Sequence, residues 1–158
     1  NATISDDNNN QIGEATLYTE GAKVGDAAQT VANLGLDYRI NPMISIDLGA
    51  RYVDNLYADY SINSSSFLDP DNPGALKLPS YSLIDLGTTA RFELLGTDAS
   101  FRVNVNNLLD TEYIAESNTN VHRGPGTPEE DQHNGIRKSN LLGYGLGRTW
   151  NVSLKLNF

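Results

Sequence analysis

The stretch from Thr149 to Phe158 alternates without error between apolar and polar side chains. The apolar positions are Trp150, Val152, Leu154, Leu156 and Phe158. The polar positions between them are Thr149, Asn151, Ser153, Lys155 and Asn157. A period of two predicts a β-strand with one apolar and one polar face. Such a strand either buries its apolar face in the core of a soluble sandwich or turns that face to lipid in a membrane β-barrel.

The composition of the chain excludes several classes of function. The 158 residues contain no cysteine, so neither a disulfide framework nor a thiolate metal site can form. A net charge of −9, with 11 scattered basic residues, argues against a nucleic-acid partner. No run of about 18 apolar residues marks a transmembrane helix. Because barrel strands hide their hydrophobicity in alternation, a mean hydropathy of −0.41 is still compatible with a membrane barrel.

Four further stretches repeat the same alternation. They run from about Thr30 to Ile40, Met43 to Leu56, Ser82 to Leu94 and Ala99 to Leu109. We expect these four and the stretch at 149–158 to form five consecutive antiparallel strands. Short turns near residues 41 and 97 should alternate with long polar loops at 56–80 and 110–143, which exceed what compact soluble domains usually carry.

Residues 1–27 differ in composition from the predicted strands. They are rich in Asn, Asp, Gly and Ala and include the polar run from Asp6 to Asn10. Such composition predicts a polar loop, here on the extracellular side, with room for one short strand between Glu14 and Glu20. Residues 28–158 are then predicted to hold the transmembrane strands and the two long loops.

Six charged side chains inside the predicted strands fall on the polar parity. They are Asp47, Arg51, Asp85, Arg91, Arg102 and Lys155. Since Arg or Lys at the centre of a lipid-facing surface costs about 2–4 kcal/mol, this sorting favours a membrane barrel. The residues predicted to face lipid are Leu34, Leu48, Leu86, Val103 and Leu154. Asp47, Arg91 and Arg102 are predicted to face the lumen.

Aromatic residues assigned to the apolar parity fall near the two ends of the strands. At the turn end they are Tyr38, Phe92, Phe101 and Phe158. At the loop end they are Tyr52, Tyr113 and Tyr144. Two such groups are what the aromatic girdles of a membrane barrel require at the two interfaces.

Three sequence blocks carry a family resemblance. They are Leu78-Pro79-Ser80-Tyr81-Ser82-Leu83-Ile84-Asp85-Leu86-Gly87, Val105-Asn106-Asn107-Leu108-Leu109-Asp110-Thr111-Glu112-Tyr113 and Gly145-Leu146-Gly147-Arg148-Thr149. In order and spacing, and with the final Phe158, they resemble the last strands of a TonB-dependent outer-membrane receptor over roughly residues 21–158. Arg148 in the third block is assigned by this resemblance to the lumen side.

The resemblance implies a plugged barrel of about 22 strands that imports a scarce, bulky ligand such as a ferric siderophore, cobalamin or a glycan. The implied partners are outer-membrane lipid, the barrel-assembly machinery, an N-terminal plug with the remaining barrel strands, and an inner-membrane energy-coupling protein. Because five strands cannot close a barrel, we expect these residues to be the C-terminal part of a longer receptor in a Gram-negative outer membrane. The residues that bind the ligand remain unassigned.

The stretch at 149–158 also resembles the C-terminal assembly signal of bacterial outer-membrane barrels. In that signal, alternating apolar residues that end in Phe are recognised by the barrel-assembly machinery. The residues to which we assign this role are Trp150, Val152, Leu154, Leu156 and Phe158.

No catalytic residue, metal site or cofactor is predicted. His122 and His133 lie in one loop without a catalytic motif, and with the acidic run 129–131 they could ligate a metal, although a solvated loop is the simpler interpretation. Residues 69–72 have the composition of a calcium loop but lack the glycine and glutamate spacing of an EF-hand. Turn formation explains these residues better.

Two other functions stay open. A small complete outer-membrane barrel with an adhesin or structural role would need about eight strands. A soluble β-sandwich binding module would place a second sheet, rather than lipid, against the apolar face.

Overall fold

A computed structural model describes residues 2–5, 7–20, 22–61 and 65–157 as an all-β fold. The strands are β1 (Ala2–Ser5), β2 (Gln11–Ala15), β3 (Thr30–Arg39), β4 (Ile44–Asp54), β5 (Tyr81–Leu94), β6 (Thr97–Asn106), β7 (Ile114–Ser117), β8 (Gln132–His133), β9 (Ile136–Arg137), β10 (Leu142–Tyr144) and β11 (Thr149–Asn157). Two short 3-10 helices span Ser65–Leu68 and Glu129–Asp131.

Five strands form one antiparallel sheet in the order β11-β6-β5-β4-β3. Strands β3 to β6 pair consecutively along the chain, and β11 pairs with the free side of β6. The prediction of five consecutive antiparallel strands is confirmed, with strand ends shifted by a few residues. Strands β3 and β11 are the two edges of this sheet.

Two tight turns lie at the same end of the sheet. Between β3 and β4, the Asn41 side-chain oxygen accepts hydrogen bonds from the N–H groups of Met43 and Ile44, each at 2.8 Å. Between β5 and β6, Leu95 and Gly96 have φ of +54° and +76°, the left-handed pair that a type I′ hairpin turn requires. The long connections from β4 to β5 and from β6 to β11 therefore leave from the opposite end.

The register of the five strands places most of their apolar residues on one face. One row across the sheet pairs Leu36 with Leu48, Leu48 with Leu86, Leu86 with Val105, and Val105 with Trp150. Because side chains alternate with period two, a slip of one residue in any pair would mix apolar and polar side chains. The sequence alternation and the observed register therefore agree across the sheet.

On the central strands β4 and β5 the apolar face is the more exposed face. Leu48 on β4 is 39% exposed, whereas Leu83, Gly87 and Thr89 on the polar face of β5 are buried. In a soluble antiparallel sheet the apolar face packs on a core and the polar face meets water. The burial pattern of β4 and β5 is thus inverted, whereas the edge strands β3 and β11 are exposed on both faces.

The chain divides into two compact units. The sheet unit consists of Ala28–Asn55, Pro79–Ala115 and Tyr144–Phe158. The loop unit consists of Asn1–Ala27, Leu56–Leu78 and Glu116–Gly143.

The loop unit contains regular structure that the alternation pattern did not reveal. Strands β1 and β2 form an antiparallel hairpin, and β8 pairs with β9. The strand expected between Glu14 and Glu20 is instead Gln11–Ala15, because its bounds are set by pairing with β1 rather than by local alternation. Strands β7 and β10, which pair with each other, are also additional to the prediction.

A small apolar core lies within the loop unit. Its fully or nearly fully buried residues are Leu56, Ala58, Phe67, Leu78 and Ile136. The Tyr60 ring stacks on Phe67 with centroids 5.3 Å apart, and Tyr57 forms a β-bridge with Lys77. The long loop 56–78 is therefore folded around its own buried residues, as in compact surface loops.

Candidate functional site

The three sequence blocks meet at the loop end of the sheet, around Asn107. This residue follows β6 directly, is only 4% exposed and has φ of +49°. Its backbone N–H donates to Asp85 Oδ1 at 2.8 Å, and its side-chain Nδ2 donates to the carbonyl oxygen of Leu146 at 3.2 Å. Asn107, in the second block, thus forms hydrogen bonds with both the first and the third block. We call Asp85, Asn107, Asp110, Leu146 and Arg148 the block junction.

Asparagine suits this position for two physical reasons. Its short polar side chain tolerates the left-handed conformation better than most residues. Its amide also closes the following turn, since Oδ1 accepts from the Thr111 N–H at 2.8 Å and Nδ2 donates to the Thr111 carbonyl at 2.9 Å. Within the described residues, no buried side-chain nitrogen or oxygen lacks a hydrogen-bond partner.

Asp110 joins the second and third blocks a second time. Its Oδ1 accepts a hydrogen bond from the Arg148 backbone N–H at 2.7 Å, and its Oδ2 lies 3.5 Å from Arg148 Nη2. The backbone hydrogen bond, assisted by the guanidinium charge, holds the pKa of Asp110 below its ordinary value. Arg148 precedes β11 and pairs with Asp110 in the turn after β6, and its assignment to the lumen side stays a prediction.

An aromatic contact brings the same three blocks together. The rings of Tyr81 and Tyr113 lie with centroids 4.3 Å apart. Gly145 leaves room for Tyr113, since a Cβ there would lie 1.9 Å from the ring, and the Gly145 N–H donates to the Tyr113 carbonyl. The assignment of Tyr113 to an apolar girdle stays a prediction that this contact does not support. Tyr81 lies on the polar parity, and the turn at 107–111 interrupts the alternation before Tyr113.

A bidentate ion pair crosses the polar face of the sheet. Arg102 on β6 donates to both carboxylate oxygens of Asp47 on β4, at 2.7 and 2.8 Å, and also to Thr89 Oγ1 at 2.9 Å. The pair spans the intervening strand β5 above Gly87. A Cβ at Gly87 would lie 2.1 Å from Asp47 Oδ2, so the absence of a side chain there permits the contact.

Sequence reasoning found the residues of this ion pair but missed their contact. The parity rule placed Asp47 and Arg102 on one face without showing which charged residues pair. Gly87 was the available signal, because a glycine inside a strand often marks a close approach of another group. The role of Asn107 was also missed, although an asparagine at the end of an alternating strand is typical of a left-handed turn.

The predicted assembly residues lie on the edge strand β11. Trp150, Val152, Leu154 and Leu156 are all exposed on the apolar face. Phe158 lies outside the described residues. The structure therefore aligns four of the five assigned side chains on one accessible surface.

The residues considered as metal ligands are engaged in other contacts. His122 Nε2 lies 2.9 Å from the carbonyl oxygen of Gly74, and the Asn134 amide lies 3.3 Å from His133 Nε2. Asp69 Oδ1 accepts from the Asp71 N–H at 2.9 Å, which forms an Asx turn. In residues 2–5, 7–20, 22–61 and 65–157, no group of three or more His, Asp or Glu could hold a metal ion.

Comparison with known protein families, with curated proteins and with solved structures finds no match to this chain. Among the residues that the structure describes, no helix is long and apolar enough to cross a membrane.

Proposed function

We propose that the sheet is part of the plugged barrel, of about 22 strands, of a TonB-dependent receptor in a Gram-negative outer membrane. The observation that carries the proposal is the inverted burial of the central strands. On the central strands β4 and β5 the side chains of the apolar face are half-buried or exposed, while buried Val53, Leu83, Gly87 and Thr89 lie on the polar face. An environment of lipid on one side and a polar lumen on the other accounts for both faces.

The positions of the charged side chains determine the energetic cost of placing the sheet in lipid. The charged residues of the five-stranded sheet lie on the polar face, except for Asp54 at the loop end of β4. On the polar face, Asp47 and Arg102 form a bidentate pair. On the opposite face, each apolar side chain placed in lipid avoids the cost of contact with water. A charge there would instead cost about 2–4 kcal/mol at mid-bilayer.

The block junction supports the family part of the proposal. The three blocks that carry the resemblance are separated in sequence but are joined by the hydrogen bonds of Asn107 and Asp110. The three blocks resemble the family in their order and also form one contact network. Together they support the family assignment better than three separate sequence matches would. In the proposed receptor, this network holds the loop ends of β5, β6 and β11 in place.

In this receptor the chain would form part of the barrel wall and part of the outer surface, and it would not carry out catalysis. The apolar face would contact outer-membrane lipid, and the polar face would surround the plug. The loop unit would lie on the outer side and meet a scarce, bulky ligand. Import would be driven by the inner-membrane energy-coupling protein acting on the N-terminal part of the receptor.

The same burial pattern weighs against a soluble β-sandwich. A sandwich buries its apolar parity, but on the central strands Leu48 on that parity is 39% exposed and Leu83 on the polar parity is 8% exposed. A small complete barrel would use the same lipid contact, and it differs from the receptor in needing only about eight strands.

The lipid contact can be tested with the only tryptophan of the chain, Trp150. In outer membranes reconstituted with brominated lipids, we expect the Trp150 fluorescence of the receptor to be quenched. A matched variant, Trp150→Phe with Asn151→Trp, moves the tryptophan to the polar face and should escape quenching, provided that other tryptophans of the receptor are replaced. Equal quenching of the two variants, or recovery of the protein in the soluble fraction, would overturn the barrel proposal.

Transport itself needs a separate measurement. Cells that lack the gene, or that lack the inner-membrane energy-coupling protein, should lose uptake of one ligand class among ferric siderophores, cobalamin and glycans. Unchanged uptake of all three classes would argue against the receptor and in favour of a structural barrel.

A further inference from the structure

An open groove of about 620 Å³ lies entirely within the loop unit. Its size falls in the range of about 300–1,000 Å³ that is usual for small-molecule sites. One wall comes from residues 17–20, 22 and 23, and the other comes from residues 67–75. These segments are distant in sequence, so the groove is a product of the folded loop unit.

Both walls of the groove are held by hydrogen bonds. The Tyr18 N–H donates to the Phe67 carbonyl at 2.9 Å, and the Tyr18 carbonyl accepts from Asn72 Nδ2 at 3.3 Å. Farther along the first wall, the Tyr60 hydroxyl donates to the Lys23 carbonyl. The Tyr18 backbone is thereby held from both sides while its side chain remains 44% exposed.

The second wall is supported from behind by a third segment. Asn120 Nδ2 donates to the Gly74 carbonyl at 2.8 Å, and Asn120 Oδ1 accepts from the Leu76 N–H at 2.6 Å. Pro70 and Pro73 line the same wall and restrict its backbone. A groove with two supported walls is largely formed before a ligand arrives, which lowers the cost of binding.

The chemistry of the lining is polar, with balanced charge and one accessible aromatic ring. Glu20 supplies one carboxylate and Lys23 supplies one ammonium group, and no arginine is among the described residues that line the groove. The hydroxyl groups of a sugar can donate hydrogen bonds to a carboxylate and accept them from an ammonium or amide group. The apolar face of a sugar ring can pack on an aromatic ring such as that of Tyr18. An anionic ferric chelate would need an excess of cationic groups, which this groove and a chain of net charge −9 do not offer.

We propose that this groove binds a neutral oligosaccharide, with Tyr18 as the stacking platform and Glu20 and Lys23 as hydrogen-bonding groups. This assignment rests on the proposed receptor function, and it favours the glycan class over anionic ferric chelates. Binding here would capture the ligand in the loop unit.

The test is calorimetric titration of the full-length receptor with maltoheptaose, cellohexaose and xylohexaose, three neutral oligosaccharides of different linkage. We expect at least one to bind. Tyr18→Ala should weaken that binding about ten-fold, as truncation of an aromatic anchor does, whereas Tyr18→Phe should retain most of it. Glu20→Gln keeps the shape of the groove and should weaken binding by a smaller factor.

Tyr144→Ala is the matched control, because Tyr144 is 47% exposed and lies outside the groove. Absence of binding by all three probes would overturn the proposal, as would equal affinities of Tyr18→Ala and the parent protein. Binding of ferric citrate that is lost in Tyr18→Ala would overturn the saccharide class.

Lipid quenching of Trp150 in the same preparation separates the two proposals. Retained quenching without saccharide binding rejects the groove assignment alone, whereas loss of quenching rejects the barrel.

Discussion

At the scale of single residues, Asn107 shows how a polar side chain can organise a junction between distant segments. It is almost fully buried, adopts a left-handed conformation and uses its backbone N–H and its side-chain amide in hydrogen bonds. Burial of such a group is favourable only when its hydrogen bonds are satisfied. A substitution at Asn107 should therefore cost more than the loss of one exposed contact.

We predict that Asn107→Ala lowers the free energy of unfolding by about 2–4 kcal/mol, because it leaves buried partners unsatisfied and places alanine in a strained conformation. The neighbouring Asn106→Ala is the control. Asn106 is exposed and its amide donates to Thr149 Oγ1 at 3.2 Å, so its loss should cost less than about 1 kcal/mol. Urea unfolding of the two variants measures the difference, and equal losses would contradict the role of Asn107.

Asp110 makes the block junction sensitive to acid. Its pKa in the folded protein is lowered by the hydrogen bond from Arg148, so its stabilising contribution is fully present above the ordinary aspartate pKa of about 3.9. That contribution is lost as the pH falls through the lower pKa of the folded state. We expect the difference in urea midpoint between the parent protein and Asp110→Asn to shrink in this acidic window. If the difference in urea midpoint stays constant or grows in acid, the charge of the Asp110 carboxylate does not stabilise the block junction.

At the scale of elements, side chains from the neighbouring strands β4 and β6 lie over β5. Gly87 lies below the ion pair between Asp47 and Arg102, which connects β4 to β6. We predict that Gly87→Ala costs about 1–3 kcal/mol by displacing this pair. Gly35→Ala is the matched control. Gly35 lies on β3 on the same polar face as Gly87, and a methyl group added at Gly35 would have no atom within 4 Å. Equal unfolding free energies for the two variants would contradict the proposed close approach.

Strand β11 offers a test of which face meets lipid. Val152 lies on the apolar face opposite Val103, and Asn151 lies on the polar face opposite Asn104. We predict that Val152→Lys reduces folded protein in the membrane, because a lysine on the lipid face costs about 2–4 kcal/mol at mid-bilayer. Asn151→Lys, one residue away, should be tolerated. Heat-modifiable mobility of the folded barrel on gels gives the folded fraction, and the opposite ranking would reverse the assigned faces.

At the scale of the whole molecule, assembly can be separated from stability. The apolar set Trp150, Val152, Leu154, Leu156 and Phe158 is predicted to act as an assembly signal. We expect Phe158→Glu to reduce assembled receptor far more than it destabilises receptor that has already folded. The apolar contribution of a single phenylalanine is about 1.5–3 kcal/mol at most, which should not abolish a large barrel. Quantitative immunoblotting of outer membranes, compared with urea unfolding of the assembled fraction, checks this. Parent-level assembly of the variant would leave Phe158 without a signalling role.

The five-stranded sheet was predictable from sequence because its information is local. Alternation with period two marks each strand, and matched parity limits the register that neighbouring strands can adopt. The row from Leu36 through Leu48 and Leu86 to Trp150 follows from these two rules together. The separation of charged and apolar faces was therefore determined by the sequence itself.

Contacts between distant segments were decided only by the tertiary structure. No local pattern shows that Asn107 binds Leu146, that Tyr113 packs on Tyr81 over Gly145, or that β2 pairs with β1. These contacts depend on turns that change the direction of the chain and reset its parity, and on hydrogen bonds whose partners lie tens of residues apart. Side-chain alternation specifies which face a strand residue occupies, whereas only the folded chain specifies which distant group that residue meets.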